Sequence, residues 1–133
     1  MAANQAPIFP LTARVAGVLV GGTALTARTA ISGTTGLTLL AASGTFGSRW
    51  DQIILSATGT TLAGLINLWV YDGTTSRLFD EYSVTVVTAS TTVPGYRLIT
   101  SYTTLVLPST HSLYCSSQVG SQLITVFAVG GDY

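Results

Sequence analysis

The sequence predicts an all-β protein, an antiparallel β-sandwich of about eight strands that is jelly-roll-like and follows an extended N-terminal arm. Strand-like runs recur along the chain and are separated by turns rich in Gly, Thr and Ser. No stretch repeats apolar residues with helical spacing over three turns, so helix is at most a minor ingredient. The length of 133 residues suits one compact domain and leaves little room for a second core.

Residues 1–12 are predicted to form the extended arm, and residues 13–133 the single sandwich domain. The arm contains two of the four prolines, Pro7 and Pro10, which enclose the apolar pair Ile8 and Phe9. Proline fixes φ and biases the preceding residue toward extended geometry, so this segment cannot be a helix. The arm is stiff enough to reach another subunit. Packing against its own domain is the alternative.

Eight runs are predicted to be strands because they are rich in β-branched, aromatic and aliphatic residues and end at turn signals. They are residues 14–20, 35–42, 51–58, 62–71, 77–88, 96–106, 111–117 and 123–129. Asp72-Gly73 is the sharpest turn signal and predicts a hairpin between the fourth and fifth runs.

Two of these runs carry more information than the others. The run 62–71 is largely apolar on both faces, so both faces are expected to be covered. Trp69 and Tyr71 share its second face, where they are predicted to fill the core or a contact between subunits. The run 77–88 alternates and is expected to be half exposed, although Phe79 and Asp80 break its alternation.

The composition favours assembly. Charged residues make up 8% of the chain, against about 25% in ordinary globular proteins, while the apolar fraction is 47%. The formal net charge is zero, so the surface has little self-repulsion, and surfaces of that kind tend to associate.

Charge and hydropathy also exclude two classes of partner. The five basic residues are all arginines and are scattered along the chain. Nucleic-acid binding is therefore disfavoured, because neutralising phosphates needs several cations on one face. The apolar segment 15–25 is much too short to span a membrane, which takes about 20 apolar residues.

Few residues of the chain could support catalysis. We predict that the protein is not an enzyme and that it has no catalytic, cofactor-binding or metal-binding residues. Zinc has no ligand set, because the chain has one His and one Cys. His111 and Cys115 would lie about 13 Å apart on a strand, too far for proton transfer. Cys115 is instead expected to be a buried small hydrophobe. Asp80 and Glu81 are adjacent, so a strand would point them to opposite faces.

Several short motifs together form a recognisable pattern. They are Ala6-Pro7-Ile8-Phe9-Pro10, Leu68-Trp69-Val70-Tyr71-Asp72-Gly73-Thr74 with Arg77-Leu78-Phe79 after it, Leu107-Pro108-Ser109, and Gly130-Gly131-Asp132-Tyr133. The pattern resembles a family of small virion proteins of tailed bacteriophages, of the capsid decoration or cement type. Its members begin with a proline-rich apolar arm and finish on Gly-Gly-Asp with an aromatic residue.

The resemblance implies a protein that binds the outside of the phage head at capsomer junctions and stabilises it. It implies a homotrimer whose partners are itself and the major capsid protein, assembled in the cytoplasm of the bacterial host. The arm would interleave with neighbours, which makes Pro7, Ile8, Phe9 and Pro10 candidate interface residues. Candidates in the rest of the chain are Trp69, Tyr71, Asp132 and Tyr133.

Two other functions remain open. One is a tail-fibre or other tail-associated module that binds receptors or glycans, in which Trp50, Trp69 and the tyrosines would stack on sugar rings. The other is a small esterase that uses His111. The thin supply of acids and bases disfavours the esterase.

Overall fold

The computed structural model describes residues 12–133. The predicted arm lies outside the described residues except for Thr12, which is the first residue of a strand. The candidate interface residues Pro7, Ile8, Phe9 and Pro10 therefore lie outside them too.

Residues 12–133 form ten strands and no helix. The strands are β1 (Thr12–Val20), β2 (Ile31–Ser32), β3 (Thr38–Ala42), β4 (Ser48–Ala57), β5 (Gly64–Tyr71), β6 (Thr75–Val84), β7 (Arg97–Ser101), β8 (Val106–Leu107), β9 (Ser112–Ser117) and β10 (Ile124–Asp132).

The strands form two sheets, and every pairing between them is antiparallel. Sheet 1 has the order β1-β10-β4-β7, with β8 also pairing with β4. Sheet 2 has the order β2-β6-β5-β9-β3. The two sheets pack face to face around one hydrophobic core, so the predicted antiparallel β-sandwich is confirmed.

The core lies between the inner faces of the two sheets. Its fully buried members from sheet 1 include Trp50, Ile53, Leu55, Ile124, Val126 and Ala128. Those from sheet 2 include Ile66, Leu68, Leu113 and Cys115. Along most of β4 and β10 the buried residues alternate with residues that point outward, as a two-layer sandwich requires, whereas four consecutive residues of β5 are buried.

The eight predicted runs all contain strand, and most of their boundaries agree within three residues, but β2 was not predicted and two runs differ further. The prediction of one strand over 96–106 is wrong, because the chain leaves sheet 1 after Ser101 and re-enters it at β8. The run 77–88 is strand only as far as Val84. Beyond it, Thr61 accepts a hydrogen bond from the Val87 amide and donates one to the carbonyl of Thr85, which diverts the chain from sheet 2.

A β-bulge in β6 explains the broken alternation of that strand. Leu68 pairs with Asp80, but the next residue, Trp69, pairs with Leu78, so Phe79 is the extra residue. An extra residue in one strand shifts the side chains beyond it to the other face.

The predicted hairpin at Asp72-Gly73 joins β5 to β6. Gly73 has φ of 99°, a conformation that favours glycine. The Asp72 carboxylate accepts hydrogen bonds from the Thr74 and Thr75 amides, both at 2.9 Å or less, and from Arg77 at 2.6 Å. These bonds hold the pKa of Asp72 well below its ordinary value.

Both faces of β5 are covered, as predicted. Ile66 and Leu68 face the core, while Trp69 on the opposite face is also fully buried. Residues 21–30, between β1 and β2, contact that outer face of sheet 2. They are held by the Leu25 amide, which donates to the Ser117 carbonyl, and by an ion pair between Arg28 and Glu81 at 2.9 Å.

Candidate assembly surface

The outer face of sheet 1 is apolar along β1 and through its middle row, and no described residue covers these apolar side chains. Cross-strand pairing arranges its side chains in three rows, one residue from each of β1, β10, β4 and β7. The rows are Val15, Val129, Gln52 and Ser101; then Gly17, Phe127, Ile54 and Ile99; then Leu19, Thr125, Ser56 and Arg97. We call these twelve residues the outer face of sheet 1.

Several large apolar side chains of this face are exposed to solvent. Val15 is 70% exposed, Leu19 is 52% exposed and Ile99 is 49% exposed. The only charged residue in the three rows is Arg97, which lies at a corner on the edge strand β7. An exposed contiguous apolar patch of this kind marks an interaction site.

Phe127 makes the middle of the face flat. A Cβ atom on Gly17 would lie 2.8 Å and 2.9 Å from two ring atoms of Phe127, so the ring lies across the space that the glycine leaves open. The ring therefore covers the backbone of β1. This arrangement, an aromatic ring over a cross-strand glycine, is a known way of filling a gap in a sheet.

The candidate interface residues of β5 lie on the other sheet. Trp69 is fully buried, and its Nε1 donates a hydrogen bond of 2.9 Å to the Ser116 hydroxyl. Tyr71 is half-buried and packs edge-on against Tyr114 with ring centroids 5.7 Å apart. Trp69 acts in this structure as filling within the chain.

Asp132 belongs to a polar cluster that ties the two ends of the sandwich domain together. Its carboxylate accepts hydrogen bonds from Arg14 at 2.9 Å and from the Ser48 hydroxyl at 2.5 Å. Burial raises the pKa of Asp132, but the bonds from Ser48 and Arg14 outweigh this and the pKa is lowered. The Arg14 guanidinium also lies 5.1 Å from the centre of the Trp50 ring, within cation–π range.

Gly130 and the Tyr133 backbone of the Gly-Gly-Asp-aromatic motif make contacts within the chain. A Cβ on Gly130 would lie 2.0 Å from the carbonyl oxygen of Arg49, so only glycine fits there. The register of β10 against β4 shifts at this point, between Val129 and Gly130. The Tyr133 amide donates to the Gly47 carbonyl at 3.2 Å.

The residues that the alternative functions require are placed as follows. Trp50 and Trp69, named for sugar stacking, are both fully buried, so neither ring is open to a sugar. His111 is half-buried, and its Nδ1 lies 3.0 Å from the Thr110 hydroxyl. Asp80 and Glu81 do point to opposite faces, because Asp80 contacts Tyr102 and Glu81 pairs with Arg28.

Cys115 is buried, as predicted. Burial raises the pKa of its thiol to about 12, and its Sγ lies 3.7 Å from the Thr38 carbonyl. A thiol with that pKa has almost no thiolate at neutral pH and is a poor nucleophile.

A cavity of about 240 Å³ lies beside the end of β1. Its lining residues include Leu19, Gly21, Thr23, Thr38 and Ser116. None of the lining residues carries a charge, a thiol or an imidazole, so this cavity has no acid or base for catalysis.

Residues 12–133 contain no helix that is long and apolar enough to cross a membrane.

Sequence reasoning missed the outer face of sheet 1 as a site. The signal was present in β1, where Val15, Gly17 and Leu19 alternate with Ala16 and Val18. Apolar residues at both sets of positions predict a strand with two apolar faces, and the core covers only one of them.

Comparison of the chain with models of known protein families, with curated proteins and with solved structures found no match. Residues 12–133 form a charge-poor antiparallel β-sandwich in which no described residue covers the apolar outer side chains of one sheet.

Proposed function

We propose that the protein is a structural virion protein that decorates the outside of a phage head and stabilises it by binding where capsomers meet. The observation that supports this most directly is the outer face of sheet 1, which is apolar, nearly free of charge and uncovered by any described residue. A chain with such a face completes its burial by joining other chains.

The strand order supports a jelly roll as the finer description of the sandwich. Its eight longer strands form four nested antiparallel pairs, which are β1 with β10, β3 with β9, β4 with β7 and β5 with β6. This nesting is what results when one long hairpin is wound into two sheets. Jelly rolls occur in viral capsid proteins as well as in lectins.

The partners in this proposal are further copies of the chain and the major capsid protein. A weak contact with each capsid subunit suffices, because a multivalent unit gains avidity through effective concentration. The trimer that the sequence resemblance implies is one way to supply that multivalency. The predicted arm, with Ile8 and Phe9 between its prolines, is the proposed contact with neighbouring subunits.

The test uses the phage particles that contain this chain. Purified virions are stripped of the protein with mild denaturant, and the heads are heated with a DNA-binding dye present. We expect stripped heads to release DNA at a lower temperature than untreated heads, and re-addition of the purified protein to restore the difference.

Heads that release DNA at the same temperature with and without the protein would contradict the proposal. So would electron microscopy that shows density lost from tails and not from heads. The second result would support the tail-associated alternative.

A further inference from the structure

Phe46 has the most exposed large apolar side chain among residues 12–133. It is 80% exposed and lies in the turn 43–47, which joins β3 to β4. Single apolar residues are ordinary on protein surfaces. Phe46 differs from them because the turn that presents it is fixed by several contacts.

Hydrogen bonds hold this turn in one conformation. The Gly47 amide donates to the Gly44 carbonyl at 3.0 Å, which closes the turn. The Gly44 amide donates to the Ser48 hydroxyl at 2.9 Å. The Tyr133 amide donates to the Gly47 carbonyl at 3.2 Å. A side chain on a turn that is already ordered requires little further ordering when it binds, which favours a role as an anchor.

The two glycines of the turn also pack against neighbouring strands. A Cβ atom on Gly44 would lie 2.7 Å from Cγ of Asp132, at the end of β10. A Cβ atom on Gly47 would lie 2.6 Å from the carbonyl oxygen of Leu107, at the end of β8. Gly47 has φ of 94°, a conformation that favours glycine. The turn therefore lies tightly against the end of sheet 1.

The arm joins the sandwich beside this turn. Thr12 pairs with Asp132, the residue that a Cβ on Gly44 would meet. Residues 1–11, which include the candidate contacts of the arm, therefore begin at the end of the sandwich that carries Phe46. Two features suited to contact with another chain thus lie at one end of the molecule.

Charge favours a protein as the partner of this end. The charged side chains of the described residues there form three ion pairs, which are Arg14 with Asp132 at 2.9 Å, Arg49 with Asp51 at 2.9 Å and Arg77 with Asp72 at 2.6 Å. Binding to anionic lipids or to a phosphate backbone takes several cations that are free to pair. An exposed ring beside paired charges fits an apolar pocket on a protein, where aromatic anchors contribute much of the binding free energy.

We propose that Phe46 is an anchor that enters an apolar pocket on the major capsid protein, so that the end of the sandwich with Phe46 faces the shell. This inference rests on the proposed function and deepens it, since it names the residue that contacts the head and the orientation of the chain. The opposite end, with the loop 85–96, then faces the solvent.

The experiment measures binding of the purified protein to stripped heads by cosedimentation over a range of protein concentrations. Phe46→Ala removes the ring, and Phe46→Asp replaces it with a charge. Val93→Asp is the matched control, because Val93 is 46% exposed and lies in the loop 85–96 between β6 and β7. Near-UV circular dichroism and urea titration check that each variant is folded.

We expect Val93→Asp to bind with an affinity within about twofold of wild type. We expect both Phe46 variants to bind at least about tenfold more weakly, because truncation of an aromatic anchor removes a large part of the affinity of an interface.

Three results would overturn the inference. One is wild-type affinity of both Phe46 variants for stripped heads. The second is an equal loss of affinity in Val93→Asp, which would not place the contact at the end with Phe46. The third is binding of wild type to phosphatidylcholine vesicles that Phe46→Asp abolishes while head binding is unchanged, which would assign Phe46 to a lipid surface. Each of these leaves the proposed function standing, whereas wild type that does not bind stripped heads would contradict the proposed function itself.

Discussion

At the scale of single residues, the polar groups inside the sandwich are connected across the two sheets. The Tyr82 hydroxyl lies 2.5 Å from that of Tyr102, and Tyr102 donates to the Asp80 carboxylate, also at 2.5 Å. Burial raises the pKa of both tyrosines; the bond to Tyr102 raises the pKa of Tyr82 further, and the bond to Asp80 raises that of Tyr102 although the bond to Tyr82 lowers it. This network links β6 in sheet 2 to the chain after β7 in sheet 1.

Removal of the Tyr102 hydroxyl should therefore lower the free energy of unfolding. Tyr102→Phe leaves the Tyr82 hydroxyl and one Asp80 oxygen without this partner, and we expect the free energy of unfolding to fall by about 1–3 kcal/mol in urea titrations. Tyr71→Phe is the control, since its hydroxyl bonds to the Gly73 carbonyl at the surface and its loss should cost less. Equal effects of the two variants would count against a network across the sheets.

The Cys115 thiol provides a second prediction at this scale. Its pKa of about 12 in the folded protein lies above the ordinary value of 9.0. The folded state thus keeps the proton that the unfolded state loses, so this contribution to stability is complete below pH 9 and declines toward pH 12. We expect an aromatic disulfide reagent at pH 8 to leave the native protein unlabelled and to label it rapidly in urea. Rapid labelling of the native state would show that Cys115 is accessible.

At the scale of elements, the hairpin between β5 and β6 depends on one carboxylate. Because the Asp72 pKa is lowered in the folded state, its contribution to stability is present above the ordinary value of 3.8 and is lost as pH falls through the folded pKa. We expect carboxyl NMR to show Asp72 still ionised when the pH is taken below 3.8. A midpoint at or above that value would mean that the hydrogen bonds of the turn do not form in solution.

The close approach of β10 to β4 at their bulge requires a glycine at position 130. Gly130→Ala places a Cβ against the Arg49 carbonyl, so the two central strands of sheet 1 must separate, and we expect a loss of more than about 2 kcal/mol in the free energy of unfolding. Gly22→Ala is the matched control, because a Cβ there meets no atom within 4 Å. Chemical denaturation measures both, and similar stabilities would contradict the close approach.

Sequence reasoning was most accurate for the strands and turns. Alternation and turn residues predicted the antiparallel sandwich and the Asp72-Gly73 hairpin, because both arise from local chemistry. The same reasoning could not place the break after Ser101, where the Tyr102 amide bonds to the Asp51 carbonyl. It could not place the Phe79 bulge either, since a bulge depends on the register of two strands that are distant in sequence.

At the scale of the whole molecule, two sheets of similar apolarity have different surroundings. The outer face of sheet 2 is partly covered by residues 21–30, through the Leu25–Ser117 hydrogen bond and the Arg28–Glu81 ion pair, and Trp69 on that face is fully buried. The outer face of sheet 1 has no such cover among residues 12–133. Sequence reasoning assigned the candidate contacts to Trp69, Asp132 and the arm, because periodicity shows that a face is apolar without showing which apolar face remains open.

The most direct test of this account is the reactivity of a thiol placed on the open face. Ile99→Cys and Val86→Cys introduce thiols at sites that are 49% and 62% exposed in the isolated chain. With both variants assembled on phage heads, we predict that a maleimide labels the thiol at position 86 rapidly and the thiol at position 99 slowly. Equal rates at the two positions would show that the outer face of sheet 1 stays open to water and would contradict the account.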